Sequence, residues 1–327
     1  MSQLKKVKIP DFKTVSGKIQ DISVSYQIFG RELHTAPIIL ITHALTGNSN
    51  VTSWWPQLVG LGKVIDLDRY TVLAFDIPGN GYSEEVDELI FNYQDWNLKD
   101  VGYAFAKAIN TLNISTIDLA LGGSIGGAVL WELITVAPSL IKSIVPIAAD
   151  WKSTLWLQAC CHVQQTILEN SDKPIETARQ HAMTLYRSPA GIIQKFEKDA
   201  GTVQAWLNYH GLALQERFTL PAYRHLNHLL SQFDVTNGSN DIESIAIKSK
   251  ASIDIICINS DGFFLAEEDI ATYERIKNKV PSSLNIIQSV HGHDAFLIEH
   301  DQLINILKRI VKKRVKLHLV SETKALA

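Results

Sequence analysis

Cysteine is scarce in this chain, and its placement excludes two kinds of site. Only three cysteines occur among the 327 residues, and two of them, Cys160 and Cys161, are adjacent. Adjacent cysteines provide neither a disulfide framework nor the paired spacing that binds zinc. We therefore expect a reducing compartment, the cytoplasm, and no structural metal.

Long apolar runs are also missing. No stretch approaches the roughly 20 uncharged residues that a transmembrane helix needs. The first six residues lead into polar sequence without the apolar segment of an export signal. The sequence thus predicts neither membrane insertion nor export.

Neither sign of charge dominates. The formal net charge is −3 at pH 7, and 20% of the residues are charged. This balance lacks the basic footprint of a nucleic-acid-binding protein, and the short basic run at residues 312–316 is interpreted as a solvated helix end. A hydrophobic fraction of 46% is enough to bury a large core.

The most informative feature present is Gly122-Gly123-Ser124-Ile125-Gly126, which lies between an apolar run and a helical pattern. A serine in a sharp strand-to-helix turn needs small residues two positions before and after it, where the chains approach closely. Such a turn exposes the hydroxyl at a helix N-terminus, whose N–H groups can stabilise an oxyanion. The pattern predicts Ser124 as a nucleophile.

Strand and helix patterns alternate along the first half of the chain. Strands are predicted at residues 22–28, 38–42, 71–75, 117–121 and 143–148, and a helix at residues 98–112. This alternation predicts an α/β fold with a mostly parallel sheet covered by helices on both faces.

The pattern changes after residue 150. Helical stretches such as residues 154–168 and 176–186 follow one another without strands, and strands resume only at residues 253–258 and 284–288. A last helix is predicted from about residue 295 to residue 312. We therefore predict a core of residues 1–150 and 235–327, with residues 151–234 forming a helical lid.

A serine nucleophile needs a histidine to accept its proton and an acid to orient that histidine. Asp261 and His293 follow the last two predicted strands, in the chain order serine, acid, histidine. His291 and Asp254 are alternatives. His293 is preferred because it follows Gly292 and begins the last predicted helix, and Asp261 because Asp254 lies inside its strand. The segment around His291 offers too few further ligands for a metal site.

Two backbone N–H groups are expected to form the oxyanion hole. One belongs to Ile125, directly after the serine, and the other to the loop His43-Ala44-Leu45-Thr46-Gly47, where Leu45 is selected. His43 is expected to hold that loop rather than to react.

Four motifs occur together in the pattern of one known family: His43-Ala44-Leu45-Thr46-Gly47, Trp54-Trp55, Gly122-Gly123-Ser124-Ile125-Gly126-Gly127 and Gly292-His293-Asp294-Ala295-Phe296-Leu297. With them, the chain resembles the homoserine O-acetyltransferases of the α/β-hydrolase superfamily from about residue 38 to residue 307. The resemblance includes the lid segment at residues 178–188 and implies the α/β-hydrolase fold. It departs from the usual pattern at residues 75–83, which replace a longer glycine-rich loop that borders the active-site entrance in relatives.

The resemblance implies a reaction and a set of substrate contacts. Ser124, Asp261 and His293 would transfer an acetyl group from acetyl-CoA, a co-substrate rather than a bound cofactor, to L-homoserine in methionine biosynthesis. Arg179 and Tyr186 would face the homoserine carboxylate, and Asp294 its amino group. A zwitterionic amino acid needs one cation and one carboxylate, and the spacing of Arg179 and Tyr186 places them on one helix face. Relatives also imply a homodimer formed through the lids.

Three alternatives remain open from the sequence. The same triad could hydrolyse esters if water reaches the acyl-enzyme. Succinyl-CoA as donor, or serine as acceptor, would require only changes in pocket shape. An α/β-hydrolase fold could also serve as a ligand receptor or interaction module.

Overall fold

The computed structural model describes residues 2–197 and 201–325, and within them most strands join a single sheet of eight. The strands are β1 (Lys5–Lys13), β2 (Ile19–Gly30), β3 (Ile38–Thr42), β4 (Val59–Gly60), β5 (Ile65–Asp66), β6 (Thr71–Phe75), β7 (Leu119–Gly123), β8 (Ser143–Ile147), β9 (Ser252–Ile258) and β10 (Ser282–Ile287). Their order in the sheet is β1-β2-β6-β3-β7-β8-β9-β10, and β4 and β5 form a separate pair.

The central strands are buried along their whole length. Every residue of β3, β6, β7 and β8 is buried, as expected for parallel strands covered on both faces. From β6 to β10 the neighbouring strands pair in parallel, whereas β1 pairs with β2, and β2 with β6, in antiparallel fashion. The α/β prediction is confirmed, and β3 and β6 have the predicted bounds.

The helices cover the sheet and fill the connection between β8 and β9. They are α1 (Val51–Trp54), α2 (Leu98–Thr111), α3 (Ile125–Val136), α4 (Leu155–Asn170), α5 (Pro174–Tyr186), α6 (Pro189–Phe196), α7 (Gly201–Gln215), α8 (Leu220–Gln232), α9 (Ile242–Ser249), α10 (Ala266–Ile276) and α11 (His300–Ala325). None of the helices in the described ranges combines the length and apolar character needed to cross a membrane.

Most of the other predicted elements differ from the observed bounds by one to three residues, and two differ in a way that bears on the candidate site. Strand β7 begins two residues later than predicted and includes Gly122 and Gly123, because these glycines pair with Pro146 and Ile147 of β8. The predicted last helix is divided: a 3₁₀ helix spans Gly292–Leu297, and α11 starts only at His300. His293 therefore lies in the 3₁₀ helix rather than at the start of the last α-helix.

The helices α4 to α8 form one insertion whose two ends meet. Lys152 and Asp234 form an antiparallel bridge, the N–H of Ser153 donates to the carbonyl of Phe233 at 2.7 Å, and the N–H of Val235 donates to the carbonyl of Trp151 at 3.2 Å. The chain thus leaves the sheet region and returns to it at adjacent points, near Trp151 and Val235.

Candidate active site

Ser124 occupies the sharp turn between β7 and α3 in a strained conformation, with φ 58° and ψ −132°. The glycines two positions before and two positions after it have no room for a side chain. A Cβ added at Gly122 would lie 2.1 Å from Oγ1 of Thr42, and one at Gly126 would lie 2.5 Å from the Thr42 carbonyl oxygen. The small residues that the motif requires are thus explained by the close approach of β3.

Gly123 is constrained by a contact that the sequence analysis missed. A Cβ at this position would lie 2.6 Å from Cε2 of Phe296, and the Phe296 ring also packs edge-on against the His293 ring at 5.5 Å. One aromatic ring therefore links the strand that presents Ser124 to His293. Phe296 is visible in the sequence only as part of the motif that follows His293.

His293 and Asp261 are joined by a hydrogen bond. Nδ1 of His293 lies 2.7 Å from Oδ2 of Asp261, and both side chains are buried. The other oxygen, Oδ1, accepts the N–H groups of Phe263 and Phe264 at 2.7 and 2.9 Å. Nε2 of His293 is buried and has no hydrogen-bond partner among the described residues, so it is left to accept a proton from a reacting hydroxyl.

The two alternative residues are placed elsewhere. Asp254 lies within β9, where its Oδ1 accepts a hydrogen bond from Ser283 at 2.7 Å. His291 is only half-buried, and its backbone N–H donates to Oγ of Ser289. Of the two carboxylates that the sequence offers, Asp261 is the one that holds His293.

Four aromatic rings surround His293. Phe264 stacks on the imidazole with an interplanar angle of 19° and a centroid distance of 5.5 Å, and the Phe263, Phe296 and Tyr186 rings lie at 5.3, 5.5 and 5.5 Å. Such rings fix the orientation of the imidazole and limit the access of bulk water.

The loop after β3 is held by buried polar contacts. Nδ1 of His43 lies 2.8 Å from the carbonyl oxygen of Ala44, and Nε2 accepts the N–H of Ile77 at 2.9 Å. Burial lowers the pKa of His43, consistent with a neutral ring that serves as a support, as expected. Within the described residues, no hydrogen bond occupies the N–H of Leu45 or of Ile125, so both stay available as donors.

Arg179 and Tyr186 share one face of α5, as their spacing predicts. The guanidinium carbon of Arg179 lies 5.6 Å from the centroid of the Tyr186 ring, and that ring packs against His293. Burial raises the pKa of Tyr186 well above its ordinary value, so the phenol keeps its proton and can donate a hydrogen bond. Arg179, Tyr186 and His293 therefore lie in sequence, with the Tyr186 ring in contact with both of the others.

Asp294 lies next to His293 and carries an ion pair with an arginine that the sequence analysis did not single out. Nε of Arg187 is 3.9 Å from Oδ2 of Asp294, and Nη1 of Arg187 is buried without a partner among the described residues. Burial raises the pKa of Asp294, against the opposing charges of Arg179, His293 and Arg187.

The described ranges hold no group of three or more His, Cys, Asp and Glu side chains arranged to bind a metal ion. A small cavity of about 10 Å³ lies beside the candidate site and is lined by residues that include Leu45, Tyr186 and Phe263. A larger groove of about 720 Å³ is lined mainly by β1, β2 and residues 85–90, and it contains none of the candidate site residues.

A mostly parallel sheet, a serine on a strained strand-to-helix turn and an Asp–His pair after later strands together define one class of protein. The sequence profile of the alpha/beta hydrolase fold family matches residues 37–297. The chain belongs to the α/β-hydrolase fold family.

Within this class, the chain is similar to curated homoserine O-acetyltransferases. The homoserine O-acetyltransferase of Salinibacter ruber (strain DSM 13855 / M31) is 28% identical over 326 residues, which cover 88% of this chain and 92% of that protein. The enzyme of that name from Cyclobacterium marinum (strain ATCC 25205 / DSM 745 / LMG 13164 / NCIMB 1802) is 27% identical, with coverage of 83% and 84%.

Solved structures show the same fold at lower identity. The homoserine O-acetyltransferase from Staphylococcus aureus superposes with a TM-score of 0.83 at 22% identity, covering 95% of both chains. Esterase E22 also gives a TM-score of 0.83, at 15% identity, covering 94% of this chain and 99% of that one. The fold is thus common to acetyltransferases and esterases.

Proposed function

We propose that this protein is a homoserine O-acetyltransferase, which transfers the acetyl group of acetyl-CoA to the hydroxyl of L-homoserine. The observation that carries the proposal is the pair of opposite charges beside His293: the Arg179 guanidinium across the Tyr186 ring and the Asp294 carboxylate. A free amino acid presents one carboxylate and one ammonium group, and these two residues complement them. The names of the relatives at 27–28% identity agree with this acceptor.

In the proposed first half-reaction, Ser124 attacks the thioester carbonyl of acetyl-CoA while Nε2 of His293 takes the hydroxyl proton. Asp261 holds the proton on Nδ1 and stabilises the imidazolium. The tetrahedral oxyanion is bound by the N–H groups of Leu45 and Ile125. The C–S bond then breaks, His293 returns the proton to the CoA thiolate, and acetyl-Ser124 remains.

In the second half-reaction, the hydroxyl of L-homoserine attacks the acetyl-serine carbonyl. His293 accepts the hydroxyl proton and returns it to the departing Ser124 oxygen, which gives O-acetyl-L-homoserine and the free enzyme. Arg179 and Tyr186 would bind the homoserine carboxylate, and Asp294 its ammonium group. A fixed orientation of this kind accelerates attack by the alcohol relative to water.

The helical insertion has a part in this proposal. We infer that residues 151–234 act as a lid domain, because α5 supplies Arg179 and Tyr186 from above His293. The lid would also carry the contact of a homodimer: Leu155, Trp156 and Val163 of α4 are exposed at 84%, 47% and 46%, and apolar side chains that stay exposed suit a subunit contact.

Hydrolysis of esters is the competing reaction, because water could replace homoserine at the acyl-enzyme. The deciding experiment measures acetyl-CoA consumption by the purified protein with and without L-homoserine, and detects O-acetyl-L-homoserine directly by mass spectrometry. Succinyl-CoA and L-serine are tested in parallel to define the donor and the acceptor.

Two serine variants complete this experiment. Ser124→Ala should abolish product formation, whereas Ser143→Ala should not, because Ser143 is buried within β8 and its hydroxyl has no partner among the described residues. CoA release that does not depend on homoserine, or activity on simple esters alone, would reject the transferase and leave a hydrolase.

A further inference from the structure

The lid concentrates positive charge around His210 of α7. Its pKa is lowered to about 4 by burial together with the positive charges of Arg179, Arg187 and Lys195. A fourth cation, Arg217, lies in the connection between α7 and α8, and its pKa is lowered by burial and by the charge of Arg179. The packing places one of these cations directly: the guanidinium carbon of Arg187 lies 5.8 Å from the centroid of the Trp206 ring, which packs edge-on against His210 at 4.6 Å.

In the part of the chain that the structure describes, few carboxylates form ion pairs with these cations. Among the described residues, Asp294 is paired with Arg187, whereas Arg179, Lys195 and Arg217 have no carboxylate within 4.0 Å. Like charges held together without counter-ions raise the local potential and attract an anionic ligand.

The proposed acceptor does not account for the excess of positive charge. L-Homoserine is a zwitterion with no net charge, and Arg179 and Asp294 already complement its two charged groups. The proposed donor is different, because CoA carries several phosphate charges. The cations beyond Arg179 therefore point toward the donor.

Arg217 is the cation best placed to meet that donor. Its Nη1 donates to the carbonyl oxygen of Thr46 at 2.8 Å, one residue beyond Leu45 in the loop that would provide the oxyanion hole. Surrounding protein is dense enough to lower the pKa of Arg217, but the residue still has solvent-exposed surface, so the N–H groups that Thr46 does not use stay open to a ligand. A guanidinium has five N–H donors, and a single carbonyl occupies only one of them.

We propose that Arg217 binds an anionic group of the acyl donor, extending the proposed function to a residue at the edge of the site. Two groups share the required chemistry: a phosphate of CoA, or a carboxylate at the end of a dicarboxylic acyl chain. Both accept charge-assisted hydrogen bonds from arginine. The inference rests on the proposed acyl-CoA chemistry, although not on the identity of the acceptor.

The experiment compares three donors: acetyl-CoA, S-acetylpantetheine, which lacks phosphate, and succinyl-CoA. Release of the free thiol is followed for the wild type, Arg217→Gln and Arg217→Lys. If phosphate is the ligand, Arg217→Gln raises the KM for acetyl-CoA about tenfold and leaves S-acetylpantetheine within about twofold, as expected for loss of one charge-assisted hydrogen bond. If a carboxylate is the ligand, only succinyl-CoA loses about tenfold in kcat/KM. In either case, Arg217→Lys should lose less than Arg217→Gln, because lysine keeps the positive charge.

A matched control separates binding from a structural role. Arg224 of α8 also donates to a backbone carbonyl, that of Leu168 at 2.9 Å, so Arg224→Gln removes a comparable contact within the lid and should affect the three donors equally. An equal loss for all three donors in Arg217→Gln would show that the arginine only ties the lid to the loop, and would overturn the inference. The inference would also be overturned if Arg217→Gln affected none of the three donors.

The test stays informative if homoserine is not the acceptor. Thiol release without homoserine reports the first half-reaction and its slow hydrolysis, so the donor comparison does not require transfer. If the wild type releases no thiol, calorimetric titration with CoA and with pantetheine replaces the assay. Equal binding of the two compounds by the wild type would then reject the assignment of Arg217 to phosphate, and succinate in the same titration tests the carboxylate.

Discussion

Nδ1 of His293 lies 2.7 Å from Oδ2 of Asp261. A carboxylate oxygen can only accept, so the imidazole carries its proton on Nδ1 and presents Nε2 as the acceptor. The carboxylate is itself oriented, since its other oxygen accepts two backbone N–H groups from Phe263 and Phe264. One hydrogen bond therefore sets both the tautomer and the direction of the ring.

Replacing Asp261 with asparagine should test this relationship. The amide can donate to Nδ1 and so favour the tautomer with its proton on Nε2, which cannot accept the serine proton. We expect kcat to fall by about 10⁴-fold. Asp254→Asn is the matched control. Asp254 is a buried aspartate of the strand that precedes the same loop, but it accepts a hydrogen bond from Ser283 rather than from His293. Steady-state kinetics on both variants measure the difference, and equal losses would argue against a specific role for Asp261.

Gly123→Ala should disturb the site through packing. The new methyl group would lie 2.6 Å from the Phe296 ring, which in turn supports His293. We expect a loss of about 1–3 kcal/mol in the free energy of unfolding and a lower kcat, measured by denaturant titration and kinetics.

Gly262→Ala provides the comparison for that substitution. A Cβ there has only the Leu185 carbonyl oxygen, at 4.0 Å, as a neighbour. This variant should stay close to the wild type in stability. A Gly123→Ala protein that is equally unaffected would show that the Phe296 ring moves aside without cost.

The acceptor residues can be tested separately from the acyl-transfer step. Arg179→Met should raise the KM for L-homoserine about tenfold or more, because a charge-assisted hydrogen bond to the carboxylate is lost. The rapid release of CoA that accompanies acylation of Ser124 should stay unchanged, since acetyl-CoA would not use this residue. Stopped-flow detection of the thiol measures both steps. A slower acylation step would instead place Arg179 in the donor site.

Glu132 should make stability depend on pH. Burial raises its pKa to about 8, from an ordinary value near 4.5, so the folded protein keeps the side chain neutral where the unfolded chain ionises it. Its stabilising contribution is complete below about pH 4.5 and is lost as the pH rises toward 8, with a slope of up to about 1.4 kcal/mol per pH unit.

Glu132→Gln should therefore flatten the decline in the free energy of unfolding between pH 5 and pH 8. Burial also raises the pKa of Asp150, to about 7. Asp150 therefore also makes the free energy of unfolding fall as the pH rises, and part of the decline should remain in Glu132→Gln. Glu169→Gln, a change at an exposed position of α4, should keep the slope of the wild type. Denaturant titrations at several pH values measure the effect, and parallel curves for Glu132→Gln and the wild type would refute it.

Several elements could be predicted because their signals are local. The buried strands β3 and β6 are short apolar runs bounded by turn residues, and their predicted bounds agree with the structure. The end of β7 was misplaced because Gly122 and Gly123 have weak intrinsic strand preference, and only pairing with β8 extends the strand through them. The final helix was misplaced for a similar reason: apolar spacing does not distinguish the 3₁₀ turn at Gly292–Leu297 from an α-helix.

The sequence by itself determined which residue types were available and in what order: a serine between small residues, then an aspartate and a histidine after later strands. These are local facts, because turn chemistry and strand patterning depend on neighbours in the chain. Only the tertiary structure decided that Asp261 rather than Asp254 holds His293, that Phe296 supports both Gly123 and His293, and that Arg217 reaches Thr46. Apart from the contact between Phe296 and His293, which lie in the same 3₁₀ helix, those relationships join residues from 32 to 173 positions apart. Such contacts arise from how the sheet and the helical insertion pack together, which no local pattern encodes.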